Sequence, residues 1–270
     1  MLNITLKKNI DKGYSFIEIL GNVNDSLELK RFVQRNGIFH IVIGEDITDL
    51  KFLSEIVDYV KILISLKSPK CDFSLVGDLE NLEYLYIADL KSSSLNLSNL
   101  RKLKYLFVKF NNKLIGFEAL KELNHLELKS YPYHDLSLIT LPENLEKFEI
   151  ISSRIETFET SKLPKRIKSI VFFQCSNLKK ITFHQTTEIL NLVIENCKEL
   201  LYLNNIRDLN KLEYLIIENC PSIFSLDELM YLKSLKHVAL CGSTTISIGD
   251  LDFLKGIKYF HWERKRAKSK

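Results

Sequence analysis

The histidines and cysteines are the residues from which a metal centre or a nucleophilic site would be built. The six histidines are His40, His125, His134, His184, His237 and His261, and the five cysteines are Cys71, Cys175, Cys197, Cys220 and Cys241. A zinc site needs closely spaced pairs such as Cys-x-x-Cys or His-Glu-x-x-His, and neither spacing occurs. An odd cysteine count without such pairs also argues against a disulfide framework and favours a reducing compartment.

Motifs for covalent catalysis or phosphate binding are missing as well. The chain has no Gly-x-Ser-x-Gly, no Walker loop and no Gly-x-Gly-x-x-Gly, and it holds only nine glycines. One alternative stays open, a metal site or acid–base pair in which His237 and His261 face each other near Glu218 and Glu263. Ordinary polar contacts are the expected role of these side chains. We therefore predict a protein that is not an enzyme, with no catalytic residue, no metal and no cofactor.

Net charge and hydropathy limit the compartment and the partners. Five cations lie in the C-terminal tail, at Arg264, Lys265, Arg266, Lys268 and Lys270, and removing them from the formal charge of +4 leaves −1. A nucleic-acid protein is expected to carry its basic patch on the folded surface, so nucleic acid is a disfavoured partner and the tail is expected to be a solvated terminus. The sequence shows no apolar signal segment and no run of 18 apolar residues, which predicts a cytoplasmic protein without a membrane span. Effector secretion without a cleavable signal stays open.

A repeated pattern of apolar residues organises the chain. The form apolar-x-x-apolar-x-apolar occurs twelve times at intervals of 20 to 24 residues. Its central residues are Ile17, Ile41, Ile62, Leu85, Leu106, Leu126, Phe148, Ile170, Leu192, Leu215, Val238 and Phe260. Because side chains alternate along a strand, each repeat predicts a short strand whose apolar residues face inward and whose neighbours face outward. In the third repeat this assignment places Lys61 and Leu63 outward.

The segments between the strands show a second period. Apolar residues spaced by threes, as in Val76-Leu79-Leu82, predict short helical or 3-10 segments. Ser225 and Glu228 have the spacing of a capping box before one of them. Prolines at 142 and 164 predict extended, helix-poor segments over residues 131–190.

Small polar residues follow the strands, five positions after the central residue. They are Asp46, Asn111, Ser153, Cys175, Cys197, Cys220 and Ser243. Such a side chain can bond backbone groups of the next coil, as a closed turn requires. Cys175, Cys197 and Cys220 are expected to stack as buried, reduced thiols.

The pattern Leu-x-x-Leu-x-Leu-x-x-Asn/Cys over residues 38–265 resembles the leucine-rich-repeat family in its short, bacterial-like form of about 22 residues. The resemblance implies an α/β solenoid, a horseshoe with a concave parallel sheet of about 11–12 strands and short helical, 3-10 or extended convex segments. Residues 1–37 are expected to form an N-terminal cap, residues 38–265 the solenoid and residues 266–270 a basic tail. The cap is expected to contain a hairpin around Asp11–Gly13 and a helix over 26–36, with Leu27, Phe32 and Val33 facing inward.

The repeat register also predicts a binding face. Aromatic residues and an acidic row lie among the outward positions, and such residues dominate protein interfaces. The predicted partner-binding residues are Tyr84, Tyr86, Tyr105, Phe107, His125, Glu195, Tyr214, Glu218, His237, Tyr259, His261 and Glu263. We expect a monomer that binds an unidentified partner protein on its concave face without catalysis. An immunity protein or antitoxin and a host-directed effector are alternative forms of this function, and nucleic-acid binding through the basic tail is a weaker alternative.

Overall fold

Short strands form at the predicted repeats. The structure, a computed structural model, describes residues 4–9, 14–66, 71–91, 93–184 and 188–262. Each of the twelve predicted central residues lies in a strand. The chain forms two compact units, residues 1–126 and 127–270, and the boundary falls within the strand His125–Lys129.

The first unit contains one main sheet. Its strands are β1 (Ile4–Asn9), β2 (Tyr14–Ile19), β3 (His40–Ile43), β4 (Ile62–Ser65), β5 (Tyr84–Ile87), β6 (Leu95–Asn96), β7 (Tyr105–Lys109) and β8 (Leu114–Ile115). The main sheet has the order β1-β2-β3-β4-β5-β7, while β6 and β8 pair separately. β1 and β2 are antiparallel, which confirms the predicted hairpin pairing, and the later strands are parallel. The hairpin residues 11–13 lie outside the described residues.

The predicted helix, α1 (Ser26–Asn36), is confirmed with its ends. The Asp25 side chain accepts a hydrogen bond from the Glu28 N–H at the N-terminus, and Gly37 ends the helix in the left-handed conformation. The inward assignment of Leu27 is wrong. Leu29 and Val33, four residues apart, share the buried face, and Leu27 is exposed. A second helix, α2 (Leu53–Ile56), is a single turn.

The predicted register of β4 is wrong by one residue. Leu63 pairs with Leu85 and is fully buried, whereas Ile62 is half-buried on the outward face. The next inward position is Ser65, a buried polar residue. Ile62, Leu63 and Ile64 are all apolar, so the alternation that sets the register elsewhere is absent at this strand.

The second unit contains two parallel sheets. Its strands, together with β9 (His125–Lys129) at the boundary, are β10 (Lys147–Ile151), β11 (Thr157–Glu159), β12 (Ser169–Phe173), β13 (Lys180–Thr182), β14 (Asn191–Glu195), β15 (Tyr202–Asn204), β16 (Tyr214–Glu218), β17 (His237–Cys241) and β18 (Tyr259–Trp262). The main sheet of this unit runs β10-β12-β14-β16-β17-β18, and β11-β13-β15 form the second sheet. β11 and β13 confirm the extended segments predicted for residues 131–190.

Short 3-10 helices occur at segments where the apolar spacing of three predicted them. These helices span Ser74–Asp78, Phe117–Ala119, Ile206–Asp208, Asp227–Tyr231 and Asp252–Gly256. A further 3-10 helix, Thr160–Lys162, lies within residues 131–190, where the sequence had predicted few helices. The predicted capping box is wrong. The Ser225 hydroxyl accepts a hydrogen bond from the Asp227 N–H, and Leu226 stands at the cap of a helix that begins one residue later than expected.

Buried turn residues tie several coils of the second unit to the coil before them. Cys175, Cys220 and Thr244 donate to the carbonyl oxygens of Ile150, Ile194 and Ile217, at 3.4, 3.7 and 3.1 Å. These hydrogen bonds run to the preceding coil. The sequence had predicted bonds to the next coil, and that prediction is wrong for these three residues. In the last of these turns the buried residue is Thr244 and not Ser243, because that turn is one residue longer.

A column of left-handed residues precedes these turn residues. The backbone φ is positive at Ser130, Ser152, Gln174, Asn196, Asn219 and Gly242. The N–H of Asn196, for example, still donates to the Glu218 carbonyl as a strand residue would, at 2.9 Å. The left-handed residue then turns the chain so that the following side chain enters the core. Within the described residues, no helix is both long and apolar enough to cross a membrane.

Candidate protein-binding face

Three rings form a continuous stack on the outward face of the second unit. Tyr214, His237 and Tyr259 are register partners on β16, β17 and β18. Adjacent ring centroids are 4.4 Å apart and the ring planes differ by 14° and 13°. Parallel pairing repeats each outward column about every 4.8 Å, which brings flat side chains to stacking distance. We call these residues the ring row; Tyr214 is 40% and Tyr259 52% exposed.

A shallow groove follows the ring row. The neighbouring outward column holds Ile216, Ala239 and His261, and the two columns together line a cavity of about 400 Å³. Ala239 is the smallest of these side chains and leaves space between its neighbours. His261 lies opposite Ala239 while His237 stacks on Tyr259, so the two histidines are diagonal neighbours rather than a facing pair.

Two carboxylates lie at the next outward position. Glu195 and Glu218 are register partners on β14 and β16. Burial raises the pKa of Glu195, and the charge of Glu218 raises it further. Like charges directly opposite each other on a sheet are unfavourable, and a cation placed between them would relieve the repulsion. Glu263, predicted to continue this acidic row, lies outside the described residues.

An asparagine ladder runs beside these carboxylates, and the sequence reasoning missed it. Asn219 donates from Nδ2 to Asn196 Oδ1 at 3.2 Å, and Asn219 Oδ1 accepts from the Ser243 N–H at 3.0 Å. The available signal was asparagine four residues after the central residue in two successive repeats, since asparagine tolerates the left-handed conformation.

The aromatic cluster predicted in the first unit is present but more enclosed. Tyr84 stacks on Tyr105 and Tyr86 on Phe107, with 4.1 Å between centroids in both pairs. His125 meets Tyr105 edge-on at 4.7 Å. All of these residues lie on the predicted face, yet Phe107 is only 6% exposed and offers little surface to a partner.

The stacked cysteines lie away from this face. Cys175, Cys197 and Cys220 are fully buried free thiols. Hydrogen bonding from Cys175 and Cys220, together with burial, raises the pKa of the Cys197 thiol well above its usual range. A thiol in this state is a weak nucleophile, which agrees with a structural role in the turns.

Comparison with known proteins identifies the fold. No protein-family model and no curated protein matches the sequence. Among solved structures, the internalin InlF from Listeria monocytogenes is similar over 93% of this chain and 87% of its own, with 18% identity and a TM-score of 0.56. The chain has the leucine-rich-repeat fold.

Two further solved structures with leucine-rich repeats are more distant. The functional domain of InlJ from Listeria monocytogenes, which includes a cysteine ladder, is 15% identical and covers 89% of this chain and 66% of its own, with a TM-score of 0.37. The leucine-rich-repeat domain of the type III effector XopL is 14% identical, with coverages of 86% and 75% and a TM-score of 0.43. The leucine-rich-repeat fold accounts for the parallel strands of both units and for the outward columns that they present.

Proposed function

We propose that this leucine-rich-repeat chain is a non-catalytic interaction module that binds a partner protein on the outward, concave face of its sheet. The observation that carries the proposal is the ring row, three stacked rings open to solvent on successive strands. Tyrosine and other aromatic side chains are enriched among the residues that dominate binding energy at interfaces.

The shape of the ring row suits a protein partner better than a small molecule. The row and the adjacent groove are shallow, and both tyrosines at its ends remain largely exposed. Small-molecule sites generally bury most of their ligand in a deep pocket. A flat aromatic strip instead provides contact area with little loss of side-chain entropy, because stacking already restricts the rings.

Charge points to a partner with a basic group beside its contact surface. Glu195 and Glu218 lie one outward position beyond the groove column of Ile216, on the same side of the sheet as the ring row. A lysine or arginine of the partner would pair with both carboxylates, and complementary charge would speed association.

Affinity capture from the chain's own cells tests this function. We expect Tyr214→Ala combined with Tyr259→Ala to lower recovery of a specific partner at least about tenfold, the loss expected for one hot spot. The matched control is Tyr202→Ala with Tyr231→Ala, since these tyrosines are 44% and 60% exposed but lie off the outward face. Quantitative mass spectrometry of the captured proteins is the measurement.

Equal loss in both double variants, with unchanged thermal unfolding, would contradict a role for the ring row. An unchanged set of captured proteins in the Tyr214 and Tyr259 double variant would contradict it as well.

A further inference from the structure

A second candidate site lies in the first unit, at the edge where the strands begin. A surface cavity of about 730 Å³ opens there, a volume within the range of ligand-binding pockets. Its lining includes Phe39, Ile62 and Tyr84 together with the charged side chains of Lys61, Glu83 and Lys104. Only Tyr84 of these six was a predicted binding residue.

The floor of the cavity is apolar and has a gap in its row of rings. Ile62 is the register partner of Tyr84 on one side and of His40 on the other. Tyr84 and Tyr105 stack with their rings 4° from parallel, and the strand on the other side of Tyr84 carries Ile62 at the matching position. Ile62 has no ring. It faces outward because the register of β4 differs by one residue from the register that the sequence predicted. Phe39, 46% exposed, stands at the edge of the same space.

The charged side chains that line the cavity are two lysines and one glutamate, and Glu122 lies near enough to act on Lys104. Lys104 Nζ lies 2.7 Å from one carboxylate oxygen of Glu83, and Lys61 Nζ lies 3.6 Å from the other. Hydrogen bonding to Lys104 lowers the pKa of Glu83, and the same bond raises the pKa of Lys104. Glu83 and Lys104 therefore stay charged near neutral pH, and the ammonium groups of Lys61 and Lys104 both lie beside the one carboxylate of Glu83. Lys61 is held more loosely and also lies over the Phe39 ring, 5.4 Å from its centroid.

We propose that this cavity binds an aromatic side chain of an acidic peptide segment. The ring lies over Ile62, where it extends the stack of Tyr84 and Tyr105 and contacts Phe39. A carboxylate beside that ring pairs with Lys61, whose contact with Glu83 is the longer of the two. Apolar anchoring and the loosely held positive charge of Lys61 together select this chemistry over a basic or purely polar segment.

The alternative is an ion-pair ladder that only joins successive coils. The second unit has such a pair, in which Lys236 lies 2.7 Å from Glu213 at the matching position before a strand. Lys236 is 53% exposed and Lys61 50%, so Lys236 provides a control for the charge change. Phe224 is as exposed as Phe39, at 46%, and provides a control for the ring.

Peptide titration of the full chain, followed by nitrogen-15 NMR, tests the proposal. The probe is an acetylated, amidated peptide in which one phenylalanine is flanked by two aspartates on each side. We expect a Kd of about 1 mM or lower. Phe39→Ala should weaken binding about tenfold and Lys61→Gln several-fold, with a weaker salt dependence in the latter. Phe224→Ala and Lys236→Gln should leave the Kd within about twofold.

Two comparison peptides complete the test, one with alanine in place of phenylalanine and one with lysines in place of the aspartates. Both should bind at least several-fold more weakly than the probe. The proposal is overturned if the three peptides bind with equal affinity, if the probe does not bind, or if the control variants lose as much affinity as the test variants. In each case Lys61, Glu83 and Lys104 would be only an ion-pair ladder that joins successive coils. Because the ring row lies in the other unit, the titration can succeed even where partner capture through Tyr214 and Tyr259 fails.

Discussion

Thr244 illustrates how one buried side chain holds two coils together. Its hydroxyl donates to the Ile217 carbonyl at 3.1 Å and accepts from the Cys220 N–H at 3.3 Å. Ser153 accepts in the same way from the Tyr131 N–H, at 2.9 Å. The thiols of Cys175 and Cys220 donate to equivalent carbonyls as weaker partners. The turn column therefore adds side-chain hydrogen bonds to backbone groups of the preceding coil.

Thr244→Val should destabilise the chain by about 1–3 kcal/mol, because it leaves a buried N–H and a buried carbonyl without this partner. Thr244→Ser keeps both hydrogen bonds and removes one methyl group, so its cost should be about 0.8 kcal/mol. Thermal unfolding followed by circular dichroism measures the difference, at roughly 2–4 °C per kcal/mol. The role given to the Thr244 hydroxyl is contradicted if Thr244→Val and Thr244→Ser unfold at the same midpoint temperature.

The direction of a side chain proved easier to predict than its exposure. Alternation along a strand fixed the face of Tyr84, Tyr86 and Phe107, because it depends only on local backbone geometry. Phe107 is nevertheless enclosed, because exposure depends on the size of the neighbours in adjacent coils, and these are distant in sequence. The ring row is more open since small residues such as Ala239 stand beside it.

At the scale of elements, the strands and 3-10 helices follow from apolar spacing, whereas the turn backbone does not. The left-handed column holds serine, glutamine and asparagine at most positions, so no glycine pattern marks it. β4 shows the other limit, since three consecutive apolar residues allow two registers and only the pairing of Leu63 with Leu85 decides between them.

Gly242 is the one glycine of the left-handed column, and its lack of a side chain matters. A Cβ at this position would lie 2.2 Å from Asn219 Oδ1, the atom that accepts from the Ser243 N–H. Gly242→Ala should therefore displace the Asn219 amide and add left-handed strain, for a total of about 1–2 kcal/mol. Gly256→Ala is the control, because a Cβ there meets no atom within 4 Å.

Urea unfolding of both glycine variants provides the measurement. If Gly242→Ala loses no more stability than Gly256→Ala, then the Asn219 side chain adapts freely to the new methyl group. The asparagine ladder would then be unimportant for stability.

At the scale of the whole molecule, the distribution of charge distinguishes a protein partner from a nucleic-acid partner, the two classes that the sequence left open. The five cations after Glu263 account for the positive net charge, and the chain without residues 264–270 has a formal charge of −1. Among the described residues, the outward face of the second unit presents Glu195 and Glu218 beside the ring row. A phosphate backbone would be repelled from this face, so we expect nucleic-acid binding to depend on the five tail cations.

Deleting residues 264–270 should therefore separate the two functions. Any binding of RNA or DNA should disappear in the truncated chain, while capture of a protein partner through Tyr214 and Tyr259 should be retained. Mobility-shift assays at roughly 50 and 200 mM salt measure the first effect, because binding by a few lysines and arginines falls steeply with salt. Undiminished nucleic-acid binding by the truncated chain would assign that activity to the folded surface and would contradict the partner class inferred from Glu195 and Glu218.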